Sequence, residues 1–207
     1  MENFDRKKHW ENIYQTKELP EVSWFQPTPE TSLDLIAKAG VLKNAKIIDI
    51  GGGDSFLVDY LLDLGYTDIR VLDISNAAIE RAKKRLGERA MLVKWIVTDV
   101  AEFKPSEKYD IWHDRAAFHF LTKEDEIAEY VKTASNSLNQ GGHLIIGTFS
   151  DKGPEKCSGI AIKQYTENSL VNLFSNTFQK TACNEVEHQT PFNTTQNFIF
   201  CSLKKKA

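Results

Sequence analysis

The sequence predicts a doubly wound, mostly parallel α/β sheet finished by an antiparallel hairpin, and three observations predict it. Between residues 45 and 149, short continuous apolar runs end at glycine or at charged residues, and segments with helical apolar spacing alternate with them. The last apolar stretch, in 190–203, follows 178–188 with no helical pattern between the two. Continuous apolar runs suit strands buried on both faces. Strands alternating with helices imply right-handed crossovers and parallel pairing, whereas two strands in direct succession pair antiparallel.

Taken in order, residues 1–39 read as a helical lid carrying Trp10, Tyr14, Trp24 and Phe25 around a proline-rich turn. "AKIIDI" (45–50) is the first strand. The helix after it has Phe56, Leu57, Tyr60, Leu61 and Leu64 on one face, Asp54 or Ser55 as its cap and Gly65 as its stop. "IRVLDI" (69–74) is the second strand. Ser75 caps the next helix, whose Ala78, Ile79, Ala82 and Leu86 share a face before Gly87. "VKWIV" (93–97) and "YDIWH" (109–113) are strands three and four. Thr122 and Asp125 read as a capping box before Ile127, Tyr130, Val131, Ala134 and Leu138, Gly141 and Gly142 close that helix, and "HLIIGTF" (143–149) is strand five. Residues 151–207 supply a loop, a helix and the hairpin. The whole of 1–207 reads as one domain, with 1–39 as lid and 45–150 as core, a size that a single hydrophobic core can fill.

Composition excludes several classes. Hydrophobic residues make up 41% and charged residues 27%, so the chain is neither disordered nor fibrous. No apolar run reaches the length of a membrane span, and the start lacks the apolar centre of a signal peptide, so a cytoplasmic monomer with no membrane partner is expected. A net charge of −3 gives no reason to expect nucleic acid. Cys157, Cys183 and Cys201 are scattered, which argues against a disulfide framework or a zinc site; no metal is expected.

Ligands of doubly wound sheets bind beyond the carboxyl ends of the strands. In this chain those ends carry "DIGGGDS" (49–55), "DIS" (73–75), "DVAEF" (99–103) and "HDRAAF" (113–118). Gly51 and Gly53 allow a sharp turn and close approach of a ligand. Asp73 lies twenty residues after Gly53, the spacing at which an acid accepts both hydroxyls of a ribose. Phe56 stands where a dinucleotide fingerprint needs its third glycine, and no Gly-Lys-Ser/Thr phosphate loop is present, so a nucleoside is implied and a pyrophosphate is not.

Asp-x-Gly-x-Gly-x-Gly with Ser55 in the last glycine's place, an acid closing strand two and Asp99 after strand three resembles the class I S-adenosylmethionine-dependent methyltransferases. The resemblance covers 45–150. It implies a Rossmann-like, seven-stranded sheet and S-adenosyl-L-methionine as cofactor. Gly51, Gly52, Gly53 and Ser55 would line its methionine part, and Asp49 would orient the loop or the amino group. Asp73 would hold the ribose, Ile74 would lie against the adenine, and Asp99 and Val100 would meet the adenine edge.

"HWENIYQTKELPEVSWFQ" (9–26) is similar to the segment that folds over the cofactor in thiopurine and thiol methyltransferases. The lysine methyltransferases acting on elongation factor 1A start in a similar way. Trp10, Tyr14 and Trp24 would then face a sulfonium, which aromatic faces stabilise. "IWHDRAAF" resembles the Asp-Arg-Gly-Ala segment of the thiopurine enzymes. By that match Arg115 holds the cofactor carboxylate or orders the site, and Asp114 shapes the substrate or sulfonium side, while the role of His113 stays open. His113 and His119 are candidate bases; otherwise they are ordinary polar or packed histidines. Cys157 and Tyr165 follow strand five, on the side where this fold places substrate. The function implied is methyl transfer to a small-molecule acceptor, with a thiol among the candidates. Alternatives are a protein-lysine methyltransferase, a non-catalytic nucleoside-binding module and an oxidoreductase.

Overall fold

The computed structural model describes residues 4–207. Its sheet has seven strands: β1 (Lys46–Ile50), β2 (Asp68–Asp73), β3 (Val93–Val97), β4 (Tyr109–Arg115), β5 (Leu138–Phe149), and the long β8 (Phe178–Gln189) and β9 (Thr195–Lys205). They run in the order β3-β2-β1-β4-β5-β9-β8. The first five pair parallel, and β9 pairs antiparallel with both β5 and β8. The strand order reverses beside β1, between β2 and β4, which is where a doubly wound sheet opens its ligand crevice.

Helices α2 (Glu30–Lys38), α3 (Leu57–Asp63) and α4 (Asn76–Leu86) belong to one side of the sheet, where Leu35, Ile36, Leu61 and Ile79 pack on Ile47, Val71 and Ile111. On the other side α5 (Glu124–Ser137) and α6 (Glu167–Phe174) bring Ile127, Tyr130, Leu170 and Phe174 against Ile48, Trp112 and Leu144. Helix α1 (Arg6–Thr16), capped by Asp5 through its bond to the Lys8 N–H, is short of apolar residues. It buries only Trp10 and Ile13, which join Val22 in a small separate core above the crevice. Residues 1–3 of the expected lid lie outside the described residues. A short antiparallel pair, β6 (Lys156–Cys157) and β7 (Ile160–Ala161), follows β5.

Four local expectations are corrected. Strand five begins at Leu138 rather than 143, because Leu138 ends α5 through its N–H to the Ala134 carbonyl and at once pairs with Tyr109; residues 139–142 are absorbed by a register shift against β4. Thr122 and Asp125 form no capping box. Helix α5 starts after Lys123, and Glu124, Asp125 and Glu126 meet its dipole instead. Helix α3 begins at Leu57, with Ser55 Oγ accepting the Leu57 N–H at 3.1 Å, while Asp54 is drawn away by Arg81 and Arg85. Cys183 and Cys201 are joined in a disulfide, since antiparallel pairing of β8 and β9 places them directly opposite each other. Linear spacing of 18 residues gives no hint of that register, leaving Cys157 as the unbonded thiol.

Candidate active site at the carboxyl ends of the strands

The turn after β1 is built for close approach. Gly51 and Gly53 stand at φ of 65° and 40°, in the left-handed region. A Cβ on Gly51 would lie 2.6 Å from Ala117 Cβ, and one on Gly53 would lie 2.6 Å from Asp73 Oδ2 and 3.1 Å from the Tyr14 hydroxyl. The missing side chains therefore leave room where the turn faces Asp73 and the lid.

Asp73 ends β2 with one oxygen used and one offered. Its Oδ1 accepts the Ser75 N–H at 2.8 Å, and among the described residues no protein donor reaches Oδ2. Burial, with the Asp49 charge adding to it, pushes this carboxyl up to about 7 against the pull of the Ser75 N–H. Tyr14 is raised well above its usual range by burial and by the charges of Asp73 and Asp54, so it stays a neutral hydroxyl.

Around these groups lies a crevice of about 770 Å³ of empty space, counting its open mouth. It runs along the strand ends. Over β2 and β3 it is lined by Leu72, Ile74, Thr98, Asp99 and Val100; over β4, β5 and β9 by Phe120, Phe149, Phe198 and Cys157. Trp10, Tyr14 and Trp24 roof it, with the Trp10 ring edge-on to Trp24 at 5.6 Å and to Phe120 at 4.9 Å. A smaller cavity beneath the glycine turn is lined by Asp49, Gly52, Ser55, Ser32 and His113 and shares Tyr14, Trp24, Gly51 and Arg115 with the first.

Three polar anchors hold the roof. Arg6 bonds both oxygens of Asp99, at 3.1 and 3.0 Å, and both of Glu126, at 3.0 and 2.9 Å. Glu11 accepts the Ser75 hydroxyl at 2.8 Å and the Ala77 N–H at 3.2 Å, at the start of α4. Arg115 donates to the Trp24 carbonyl. Burial lowers Arg115 to about 10, and it makes no ion pair with any described residue.

The sequence-expected residues thus divide. Trp10, Tyr14, Trp24, Gly51, Asp73, Ile74, Asp99, Val100, Arg115 and Cys157 all border the main cavity, while Asp49, Gly52, Ser55 and His113 border the smaller one. Gly53 shapes the turn without bordering either.

Others do not come to the site in the expected role. Asp114 is fully buried on the opposite face of β4, where Oδ1 accepts the N–H groups of Ala117 and Phe118 at 3.1 Å and Oδ2 accepts the Tyr130 hydroxyl at 2.6 Å. It braces the turn after β4 and has no path to a substrate. Tyr165 packs parallel to Phe118, 5.3 Å away, inside that same core. His119 is also fully enclosed: its Nδ1 accepts the Phe149 N–H at 3.3 Å, its ring stacks on Phe149, and burial beside Arg115 lowers it to about 3, so it stays neutral and is too weak a base to take a proton near neutrality. His113 has both ring nitrogens engaged, with Asp49 and with Ser32, and is no free base.

Sequence reasoning missed Arg6, Glu11, Ser32, Phe120, Phe149 and Phe198. Phe149 ends β5 at the correct side of the sheet, a usable signal, and Phe198 lies opposite it inside β9. Arg6 and Glu11 act through partners 93 and 64 residues away, for which the linear chain gives none.

Known proteins meet this geometry. A profile of the methyltransferase domain family matches residues 48–144, from β1 into β5. Residues 48–144 carry a methyltransferase domain of the class I S-adenosylmethionine-dependent kind. This methyltransferase domain is 32% identical over 108 residues to a malonyl-[acyl-carrier protein] O-methyltransferase of Anoxybacillus flavithermus, covering 51% of the chain and 39% of that relative. It is 27% identical over 128 residues to the eEF1A lysine and N-terminal methyltransferase of Mus musculus, covering 60% of the chain and 18% of that relative. The match thus spans less than half the length of either. The fold of the N-methyltransferase NodS from Bradyrhizobium japonicum, solved with S-adenosyl-L-homocysteine, superposes with a TM-score of 0.75 at 17% identity, covering 98% of this chain and 100% of that one.

Proposed function

We propose that this chain binds S-adenosylmethionine in the roofed cavity and transfers its methyl group to a small-molecule acceptor lodged over β4, β5 and β9. The observation that carries the reading is the unpartnered Oδ2 of Asp73, offered across the glycine turn into a cavity capped by three aromatic rings. The residues present fit that cofactor: an acceptor-only carboxylate suits two ribose hydroxyls, Ile74 and Val100 form apolar walls for a base, and the space left by absent Cβ atoms admits the chain linking ribose to sulfur. Bound there, the cofactor supplies a methyl carbon on a cationic sulfur.

The chain's own contribution is positioning. Trp10, Tyr14 and Trp24 exclude water and offer ring faces to positive charge. Phe120, Phe149 and Phe198 give the acceptor end an apolar wall, and Cys157 is held as a neutral thiol by burial. No side chain at this end, among the described residues, is placed to remove a proton. The favoured nucleophile therefore arrives ionised or nearly so, as a thiol near its pKa or a carboxylate does, and in-line displacement needs only orientation. In this reading 1–207 acts as one domain and as a cytoplasmic monomer, with no nucleic-acid or membrane partner. No helix among the described residues is long and apolar enough to cross a membrane.

Titration calorimetry with S-adenosylmethionine and S-adenosylhomocysteine tests the cofactor half of the proposal, with Asp73→Ala expected to abolish binding. No heat with the wild-type protein would return the chain to the nucleoside-binding or oxidoreductase readings. S-adenosylhomocysteine formation is then screened against thiols, sulfide, amines, carboxylates and cell-extract protein. Turnover with protein alone would replace the small-molecule acceptor by a lysine side chain.

A further inference from the structure

Asp49, His113 and Ser32 form a continuous hydrogen-bonded chain beneath the glycine turn. His113 Nδ1 lies 2.6 Å from Asp49 Oδ1, and His113 Nε2 lies 2.9 Å from Ser32 Oγ. All three side chains are at least nine-tenths buried. A carboxylate only accepts, so the Nδ1 proton points at Asp49. The connectivity is that of a Ser-His-Asp nucleophile relay, yet Ser32 is 1% exposed at the inner wall of the smaller cavity, and its hydroxyl is not presented as a nucleophile. The relay works toward its other end.

There, Asp49 Oδ2 has no protein donor among the described residues. It borders the smaller cavity beside Gly52, whose absent Cβ would stand 2.4 Å from it. That cavity shares Gly51, Tyr14, Trp24 and Arg115 with the main one, so a ligand whose nucleoside lies against Asp73 can extend a tail into it. A carboxylate there with one oxygen tied and one free is fixed in rotation and presents a point acceptor to a cation.

We infer that Ser32 and His113 are positioning residues that lock Asp49 so that Oδ2 holds the ammonium of the methyl donor's amino-acid tail. The inference rests on the proposed cofactor reading and concerns only that tail. Without His113 the carboxylate is free to rotate in its cavity, and a charge-assisted bond loses its preset direction. Because Ser32 comes from α2, within the amino-terminal 1–39, the tail subsite is assembled from β1, β4 and the amino-terminal segment together.

The test compares two ligands by calorimetry: S-adenosylhomocysteine, which carries the amino-acid tail, and 5′-methylthioadenosine, which lacks it. His113→Leu should weaken S-adenosylhomocysteine by about tenfold or more and leave methylthioadenosine within about twofold. His113→Asn, which keeps a donor near the Nδ1 position, should recover part of the loss, and Ser32→Ala should fall between. Thermal melting confirms that each variant is folded, and Asp49→Asn reports on the subsite if His113→Leu does not fold. Equal losses for both ligands would make the relay a general brace, and unchanged affinities for both would remove it from the site. Failure of the wild-type protein to bind either ligand would instead sink the cofactor reading.

Discussion

Arg115 Nη1 and Nη2 both donate to the Trp24 carbonyl, at 3.0 and 3.1 Å, so one guanidinium at the end of β4 ties the aromatic roof to the sheet. The bond does two things at once. It satisfies a backbone acceptor of the turn that carries Trp24, and it leaves a half-buried cation facing the cavity with donors to spare.

Replacing Arg115 should therefore disturb closure and catalysis together. Arg115→Ala is expected to lower kcat/KM by about a hundredfold. Arg115→Lys should recover little of it, because an ammonium cannot reproduce the planar two-nitrogen fork. Steady-state assay with limited proteolysis of the amino-terminal segment checks both effects, and wild-type rates with either variant would reduce the contact to a structural tie.

Asp73 makes cofactor affinity depend on pH. Its carboxyl is pushed up to about 7 and must be ionised to accept two hydroxyls, so affinity should rise by roughly tenfold per pH unit up to about 7 and level off above. The unliganded protein has the opposite trend: the folded state retains a proton that the unfolded chain releases near 4, so this group's contribution to stability is full below 4 and is lost as pH rises through 7. Calorimetry and chemical denaturation over pH 5–8 read the two slopes, and Asp73→Asn should flatten both.

Asp114 predicts a stability effect. It is raised to about 6 by burial, although Tyr130, Phe118 and Ala117 all donate to it. Its contribution follows the same sign, full below about 4 and lost as pH rises through 6. Asp114→Ala strands two N–H groups and a phenol, and should cost about 2–5 kcal/mol in denaturant unfolding. Turnover per folded molecule should fall only as far as the turn carrying Ala117 and Phe120 loosens.

The disulfide predicts a thiol count. Protein purified without reductant and then denatured should show one reactive thiol, Cys157, and three after reduction. Closing the 18-residue separation should contribute about 3 kcal/mol, so reduction should lower the melting temperature. Three thiols before reduction would mean that the pair stays reduced where the protein is made.

Much of the fold was legible because the apolar runs are short, unbroken and bounded by glycine, as strands covered on two sides must be. Glycine turn and carboxylates were legible for a related reason, since residues immediately after parallel strands share one edge of the sheet. What failed was the assignment of faces. In "YDIWHDR" successive side chains alternate, so His113 and Arg115 look toward the lid side while Asp114 joins Trp112 under α5. Period-two counting separates them, whereas the match to the Asp-Arg-Gly-Ala segment brings both Asp114 and Arg115 to the site. His119 and Tyr165 followed turns whose direction no local pattern sets. The Cys183–Cys201 pairing and the Arg6–Asp99 contact depend on register and on separation of up to 93 residues, which only the assembled sheet supplies.

Glu11 stands on the positive end of α4 and fills the Ser75 and Ala77 donors there, one turn from Asp73. That corner of the crevice consequently holds two carboxylates, and its Ala77 amide is already taken. A ribose bearing a 2′- or 3′-phosphate, as in NADP or coenzyme A, would bring a dianion against those two carboxylates. In the proposed reading, the contact between the first helix and the fourth would thus disfavour nucleosides phosphorylated on the ribose hydroxyls.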